Sequence, residues 1–244
     1  MKPTERYFYI DVLRVLAICL VFVFHVNMIF VAEWNWHIKA DSKSNVLMEF
    51  NYWIQFFRMP LLFFISGFIS CSLLKKLSGA EFAIQRFNRL IIPTIIWTFV
   101  LVAPQLYFER RLQGFDFTYL EFYKTFLDFG WYPQGNFHWL HLWFIPYLFA
   151  YNLLSIPIIK KLDAFGTANN NDALKSKLPM CISVFVTLSV IPYTLLSVRY
   201  PVTYDFIHDY ARHAQFFPFV LAGLLAFKYS SVMVFLEKKR ETLL

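Results

Sequence analysis

The chain of 244 residues contains six apolar stretches that are long enough to cross a membrane. Each holds about 20 residues, the number that an α-helix needs to span a hydrocarbon core roughly 30 Å thick. The approximate limits of the six stretches are 9–31, 52–74, 90–108, 137–159, 178–198 and 214–236. The sequence therefore predicts an all-α, polytopic integral membrane protein that forms a single membrane domain over residues 1–244.

The composition supports a membrane protein and argues against an ordinary soluble domain. Only 16% of the residues are charged, while 21% are aromatic, and soluble proteins carry about 25% charged residues. The three cysteines, Cys19, Cys71 and Cys181, all fall inside apolar stretches. We therefore expect no disulfide framework.

Lysine and arginine predict the orientation of the spans. If the N-terminus is cytoplasmic, the cytoplasmic segments hold 14 of these residues, the outer loops hold 7, and Arg14 and Arg58 lie within spans. This bias places both termini in the cytoplasm. The net charge of +7 then reflects topology, and we expect no nucleic-acid partner. The polar, asparagine-rich segment 163–177 is predicted to be a cytoplasmic linker loop.

Two titratable side chains lie within the first span, at the two ends of the stretch RVLAICLVFVFH: Arg14 and His25. Eleven helical steps of about 100° end about 20° past three full turns, so the two residues share a face and lie about 16 Å apart. Asp11 can pair with Arg14 and lower the cost of its burial. Alternatively, Arg14 reaches the inner interface and His25 is an ordinary hydrogen-bonded interior histidine.

Further polar side chains lie at the predicted outer side. Arg58, in FFRMPLLFFISGF, lies at roughly the depth of His25 and requires an anion, a carboxylate or water. His141, near His138 at the start of the fourth span, is a candidate for the same cavity. These residues also fit a purely structural interpretation, in which Arg58 reaches the membrane interface and the two histidines join an interfacial belt of aromatic residues. Gly67 is assigned to close helix packing. We predict no metal site.

Arg86 and Arg89, in IQRFNRLIIP, precede the third span on the predicted cytoplasmic side. Together with Lys75 and Lys76 they form a basic patch that can bind a phosphorylated cofactor. The positive-inside rule explains the same charges without a ligand. Seven prolines lie in or beside the spans and predict kinks, with or without an internal cavity.

Four motifs in order resemble the membrane-bound acyltransferase-3 family, and within it the glucan succinyltransferase branch. They are YIDVLRVLAICLVFVFH, FFRMPLLFFISGF, QRFNRLIIP and HLWFIPYLF. The resemblance implies a protein of the inner (plasma) membrane that uses a cytoplasmic acyl-CoA donor and a hydroxyl of a periplasmic or cell-surface glycan. The family's essential Arg and His fall on Arg14 and His25, and its basic residues before the third span fall on Arg86 and Arg89.

This resemblance gives the motifs a mechanism. Arg14, Arg86 and Arg89 are expected to hold the donor phosphates, and His25 is expected to act as general base, with a covalent acyl-imidazole as the alternative. Arg58 is expected to stabilise the thioester oxyanion or to bind a succinyl carboxylate. Family members usually have about ten spans, so we also consider a truncated, non-catalytic member. A proton-coupled transporter is the other alternative, because such proteins use intramembrane Asp, Arg and His.

Overall fold

A computed structural model describes residues 7–34, 36–164 and 171–229. The described residues form nine α-helices: α1 (Phe8–Asn27), α2 (Asn45–Leu74), α3 (Gly79–Arg86), α4 (Ile92–Trp97), α5 (Ala103–Leu112), α6 (Tyr119–Leu127), α7 (Phe144–Ala164), α8 (Asn171–Arg199) and α9 (Tyr210–Lys228). Two π-helical turns, Phe87–Ile91 and Thr98–Val102, join α3, α4 and α5, and a 3₁₀ turn at Leu140–Leu142 precedes α7. There is no β-strand within these ranges, and the prediction of an all-α fold is confirmed.

Five segments are long and apolar enough to cross a membrane, which confirms a polytopic architecture. Their bounds are Phe8–Asn27, Asn45–Leu74, Gly79–Leu112, Leu140–Ala164 and Met180–Arg199. The predicted sixth span, 214–236, begins within α9, and its residues 230–236 lie outside the described ranges. Helix α8 begins at Asn171, inside the segment predicted as a linker loop, and residues 165–170 of that segment are not described.

The third span is a continuous helical segment that is widened twice. A π-helical turn ends one residue before Ile92–Pro93, and a second ends one residue before Ala103–Pro104. Proline lacks a backbone N–H and crowds the carbonyl of the preceding turn. A π turn, with its extra residue, absorbs that defect without ending the helix. Arg86 and Arg89 flank the beginning of the first widened turn.

Helices α2 and α9 pack backbone to backbone through two glycines. A Cβ atom on Gly67 would lie 2.0 Å from the carbonyl oxygen of Val220, and a Cβ on Gly223 would lie 2.0 Å from that of Phe64. Only glycine fits at either position, as is common where membrane helices approach closely. The assignment of Gly67 to helix packing is thereby supported, and α9 is held as an integral part of the bundle.

The main core lies where α1, α2, α7 and α9 meet. Its buried members are Ala17, Met59, Leu62, Phe63, Tyr147, Leu148, Tyr151, Phe216 and Val220. The rings of Phe63 and Phe216 stack with centroids 4.7 Å apart. Helices that alternate in direction bring three connections to the same end of this bundle: 28–44, 113–143 and 200–209. We call this end the outer end, and the opposite end, which carries residues 75–78, the inner end.

Candidate functional site

The inner end brings together the three arginines that we name the inner cluster: Arg14, Arg86 and Arg89. Arg14 pairs with Asp11 of α1 across 3.2 Å and remains about half exposed. Arg86, the last residue of α3, lies within electrostatic range of both Arg14 and Arg89. The chain thus places the basic residues before the third span beside the arginine of the first span. Three like charges in one place favour a polyanionic ligand.

Arg86 is the most constrained member of the inner cluster. Its guanidinium carbon lies 5.1 Å from the ring centroid of Phe82. Its Nε and Nη2 atoms are shielded from solvent and have no hydrogen-bond partner within the described part of the chain. Buried donors are normally satisfied. A guanidinium with two free donor nitrogens is suited to a phosphate or carboxylate, which it can bind through paired hydrogen bonds.

At the outer end, His25 is fixed in a form that can accept a proton. Its Nδ1–H donates to the carbonyl oxygen of Val21, 2.6 Å away in the preceding turn. When the ring is neutral, this hydrogen bond leaves the free lone pair on Nε2. The His25 ring lies 5.5 Å from Trp36 and 5.8 Å from His141, measured between centroids. It faces the outer connections of the protein and is partly buried among them.

Arg58 lies beside this histidine. Its guanidinium carbon is 3.4 Å above the ring of Phe24, the residue before His25, and Arg58 is within electrostatic range of His25. Arg58 is only 9% exposed, and its Nε atom has no partner among the described residues. Stacking on an aromatic face stabilises the charge, but it leaves the in-plane N–H groups available.

The residues that the sequence did not single out at this end are Tyr204 and Arg212. The Nη2 group of Arg212 donates to the Tyr204 hydroxyl across 3.2 Å, and both residues are within electrostatic range of Arg58. Tyr204 has a left-handed backbone, with φ of 55°, and its carbonyl oxygen accepts a 2.7 Å hydrogen bond from Trp139 Nε1. We name His25, Arg58, His141, Tyr204 and Arg212 the outer cluster.

A histidine–carboxylate pair ties the first outer connection to the third span. His37 Nδ1 is hydrogen-bonded to Glu109 Oε2, although the two residues are 72 positions apart. Glu109 also accepts from the Tyr132 hydroxyl at 2.8 Å. Burial, together with this carboxylate, raises the pKa of Tyr132 to about 12, so its hydroxyl stays protonated. The pair positions Trp36, which lies against His25.

His138 is a neutral structural residue of the outer end. The backbone N–H of Leu140 donates to its Nδ1 at 2.6 Å, so that nitrogen must be unprotonated. Burial lowers the pKa of His138 to about 4, because charging the ring would cost its desolvation as well as this hydrogen bond. Among the residues that the structure describes, no group of three His, Cys, Asp or Glu side chains could hold a metal ion.

The structure therefore gathers the predicted site residues into two groups. Arg14, Arg86 and Arg89 meet at the inner end, while His25, Arg58 and His141 meet at the outer end. Helix α1 connects the two groups, and it is unbroken from Phe8 to Asn27. Because His25 lies eleven helical steps after Arg14, the two groups lie about 16 Å apart along the helix axis. The roles of these residues in catalysis and binding stay predictions.

Residues 7–233 match the profile of a family described as an acyltransferase domain, the acyltransferase 3 family. The chain belongs to the acyltransferase 3 family. This match covers most of the chain, including both clusters and the α1 face between them.

Curated relatives agree with the branch of the family that the sequence motifs resemble. The chain is 27% identical over 237 residues to "Glucans biosynthesis protein C" of Escherichia coli O157:H7 (strain EC4115 / EHEC), covering 92% of the chain and 59% of the relative. It is 26% identical over 235 residues to the protein of the same name from Shigella dysenteriae serotype 1 (strain Sd197), with the same coverage. The chain thus spans about three fifths of the length of these relatives. No solved structure matches it.

Proposed function

We propose that this protein is a membrane O-acyltransferase. It would move an acyl group from a cytoplasmic acyl-CoA to a hydroxyl of a periplasmic or cell-surface glycan, in the inner membrane. The observation that carries this proposal is the arrangement along α1, which has a basic cluster with free donor groups beside one end and, at the other, an imidazole whose Nδ1 is engaged by the backbone of Val21, so that Nε2 is left for chemistry. Membership of the acyltransferase 3 family supports this reaction class.

The inner cluster is suited to the donor. Coenzyme A carries several phosphate charges, and arginines recognise phosphate through paired hydrogen bonds. With the phosphates on Arg86 and Arg89, the flexible pantetheine arm would run along the face of α1. The thioester would then reach the depth of His25. This geometry lets one protein take its donor from the cytoplasm and its acceptor from the other side.

The outer cluster is suited to the transfer step. His25 Nε2 would take the proton of the acceptor hydroxyl as the oxygen attacks the thioester carbonyl carbon, forming a tetrahedral oxyanion. The carbon–sulfur bond then breaks as the carbonyl re-forms, and the departing thiolate receives the proton from the imidazolium. The nearby charge of Arg58 stabilises negative charge that develops on or near the acyl group. Products are an ester and free CoA.

The acceptor side is inferred from the relatives and from the chemistry of the outer end. The relatives carry the name "Glucans biosynthesis protein C", which favours a glucan. Four tryptophans in the outer connections, Trp34, Trp36, Trp131 and Trp139, are partly buried and retain accessible surface. Flat aromatic faces beside polar groups are suited to a sugar, which has both an apolar ring face and hydroxyls.

The experiment compares the full 244-residue chain with His25→Ala in lipid nanodiscs, using acyl-labelled CoA thioesters and a soluble glucan. We expect labelled glucan from the unaltered chain. His25→Ala should bind the donor normally and transfer the label about 10²- to 10⁴-fold more slowly, the usual contribution of a positioned general base. His208→Ala is the matched control, since His208 is exposed and, among the described residues, its side chain pairs with Asp205.

Two results would contradict the proposed function. One is the release of CoA without any label on the glucan, which would indicate hydrolysis. The other is a normal transfer rate in His25→Ala, which would remove the imidazole from the reaction. Loss of donor binding in the same variant would instead assign His25 to binding or folding.

A further inference from the structure

We propose that Tyr204 is a catalytic residue of the transfer reaction, and that its hydroxyl donates a hydrogen bond to the oxyanion of the tetrahedral intermediate. Arg212 would act as a positioning residue for that hydroxyl. The inference rests on the proposed function and deepens it, because it adds a directional donor to the charge that Arg58 supplies. Tyr204 transfers no proton in this step, so its O–H bond stays intact while the oxyanion forms and collapses.

The first observation is an unusual backbone in the connection between α8 and α9, at the outer end. Tyr204 and Phe206 both have left-handed backbones, with φ of 55° and 71°. Residues other than glycine rarely adopt this region, and they keep it only where the surrounding structure holds them there. Backbone positions of this kind cluster at functional sites, where they present a side chain in one fixed orientation.

The second observation is that both backbone polar groups of Tyr204 are held by side chains from other elements. Its N–H donates to Asp209 Oδ2 at 3.2 Å, and its carbonyl oxygen accepts from Trp139 Nε1 at 2.7 Å. Asp209 Oδ2 is itself fixed, because it also accepts a 2.7 Å hydrogen bond from the Tyr147 hydroxyl of α7. The peptide groups on both sides of the Tyr204 side chain are therefore fixed in place.

Phe206 is held in the same way, two residues further along the connection. Its N–H donates to the Tyr147 hydroxyl at 3.0 Å, and its carbonyl oxygen accepts from His213 Nε2 at 2.6 Å. Because a carbonyl oxygen can only accept, Nε2 carries a proton, and Nδ1 of the neutral ring accepts from the Tyr151 hydroxyl at 2.7 Å. The connection is thus anchored to α7 and α9, which makes the position of Tyr204 a rigid feature of the bundle.

The third observation concerns the Tyr204 hydroxyl itself. It accepts a 3.2 Å hydrogen bond from Nη2 of Arg212, a partly buried side chain whose Nη1 donates to Gln215 at 2.6 Å. Within residues 7–34, 36–164 and 171–229, the hydroxyl donates to no acceptor, so its proton is available to a ligand. A hydrogen bond received from a cation polarises the hydroxyl and strengthens the one that it donates.

The charge balance of the outer cluster is suited to a single oxyanion. Arg58 and Arg212 are two cations, and the fully buried Asp209, one turn before Arg212, is one carboxylate. Asp209 Oδ1 and Arg212 Nε both lack a hydrogen-bond partner in the described part of the chain, so these two atoms are not bonded to each other. The three groups together leave one positive charge, and a tetrahedral intermediate carries one negative charge.

The contacts of Tyr204 place it in the same cluster as the proposed base. Its ring lies 5.1 Å from that of Trp143, two residues after His141, whose ring is 5.8 Å from His25. Tyr204 is also within electrostatic range of Arg58. A fixed donor in this position needs no rearrangement when charge develops on the acyl oxygen, which is the property that makes such donors effective in catalysis.

The test uses the full chain in nanodiscs and measures acyl-CoA binding together with single-turnover transfer to glucan. Tyr204→Phe should slow transfer about 10²- to 10³-fold, the usual effect of removing one oxyanion donor. The donor Kd should change by less than about threefold, because the contact is made only in the transition state. The variant keeps the ring that contacts Trp143. Tyr210→Phe, on an exposed tyrosine at the start of α9, is the matched control.

Two further variants distinguish a catalytic hydroxyl from a structural one. Fluorotyrosine at position 204 keeps the hydroxyl but makes it more acidic, so the alkaline limb of the transfer rate should move to lower pH. The same replacement of Tyr210 should leave the profile unchanged. Arg212→Lys keeps the charge and loses the fixed guanidinium. It should slow transfer about tenfold in the unaltered chain and cause no further loss in Tyr204→Phe.

The outcomes separate this role from the proposed function. Normal transfer in Tyr204→Phe, loss of donor binding in that variant, or an alkaline limb that fluorotyrosine does not move overturns the role of Tyr204 and leaves the acyltransferase proposal intact. If Tyr204→Phe does not fold, the fluorotyrosine variant decides. An equal effect of Arg212→Lys in both backgrounds overturns its positioning role. Failure of the unaltered chain to label the glucan overturns the proposed function, and this inference with it.

Discussion

The inner and outer clusters use the same cationic residue in two different environments. At the inner end, Arg14 is half exposed and already paired with Asp11, Arg89 is exposed, and Arg86 is partly buried beside Phe82. At the outer end, Arg58 is enclosed by helices and stacked on Phe24. Charges near water are screened, while the same charges in a poorly solvated site act strongly over short distances. This difference agrees with the proposed function, in which the inner arginines capture the donor and Arg58 acts on the group that reacts.

Of the tests that compare the two ends, the largest effect is expected on acyl-CoA binding, from substitutions in the inner cluster. Arg86→Ala combined with Arg89→Ala should weaken acyl-CoA binding about 100-fold, since each lost charge-assisted phosphate contact is worth about tenfold or more. Single-turnover transfer at saturating donor should change by less than about threefold, because the interaction is made equally in the ground and transition states. Isothermal titration and rapid quench measure the two quantities. Arg111→Ala, an exposed arginine that pairs with Asp116, is the control.

Within the inner cluster, replacing the partly buried Arg86 should weaken donor binding more than replacing the exposed Arg14. Arg14→Ala removes a side chain that is already paired with Asp11, so its effect on the donor Kd should be smaller than that of Arg86→Ala. A larger effect of Arg14→Ala than of Arg86→Ala on the donor Kd would contradict this account. A transfer rate that falls together with donor affinity would contradict the assignment of separate roles to the two ends.

A smaller effect is expected from acid, and only at the outer end. Burial holds the pKa of His138 at about 4 in the folded chain, against about 6.5 when unfolded. The unfolded chain therefore binds the proton first. The contribution of neutral His138 is complete above pH 6.5 and is lost progressively as the pH falls through 6.5 toward 4. At pH 5 the loss should be about 2 kcal/mol, roughly 30-fold in the local unfolding equilibrium.

Hydrogen exchange measures this difference directly. Amides of residues 129–143 should lose protection between pH 7 and pH 5, after correction for the intrinsic exchange rate, while amides of 79–91 should not. His138→Asn, which cannot be protonated in this range, should flatten the response. An equal loss of protection at both ends would show that acid acts on the whole bundle, and the contrast between the clusters would then not extend to pH.

The inner cluster, and the shared face of Arg14 and His25 on α1, can be predicted from the sequence because they depend on local rules. Helical periodicity alone places Arg14 and His25 on one face. Arg86 and Arg89 follow the short connection after the second span, so they return to the end where Arg14 lies. Apolar length likewise predicts membrane helices. The third span begins earlier than predicted, at Gly79, because α3 is polar enough to be missed by a count of apolar residues.

The outer cluster depends on contacts that no local pattern encodes. From the sequence alone, Arg212 is a charged residue just before the predicted sixth span, in an outer loop. It joins the site because the 200–209 connection, with a left-handed backbone at Tyr204, brings Tyr204 against it. His37 and Glu109 meet across 72 positions, so neither the spacing nor the composition of either segment indicates a pair. The position of Arg58 inside a hydrophobic stretch is the sequence feature that indicates a functional residue. Its neighbours cannot be predicted in the same way, because they come from other helices.

The most direct test of the central claim is the sidedness of the reaction. The full chain is reconstituted in vesicles, and those with the inner end facing the bulk solution are isolated by an N-terminal affinity tag. Labelled acyl-CoA is then supplied outside, with glucan either enclosed or outside. Two ends with separate tasks predict that external donor labels the enclosed glucan, and that labelling is lost with His25→Ala. Labelling of external glucan alone would place donor and acceptor on the same side and would contradict the account.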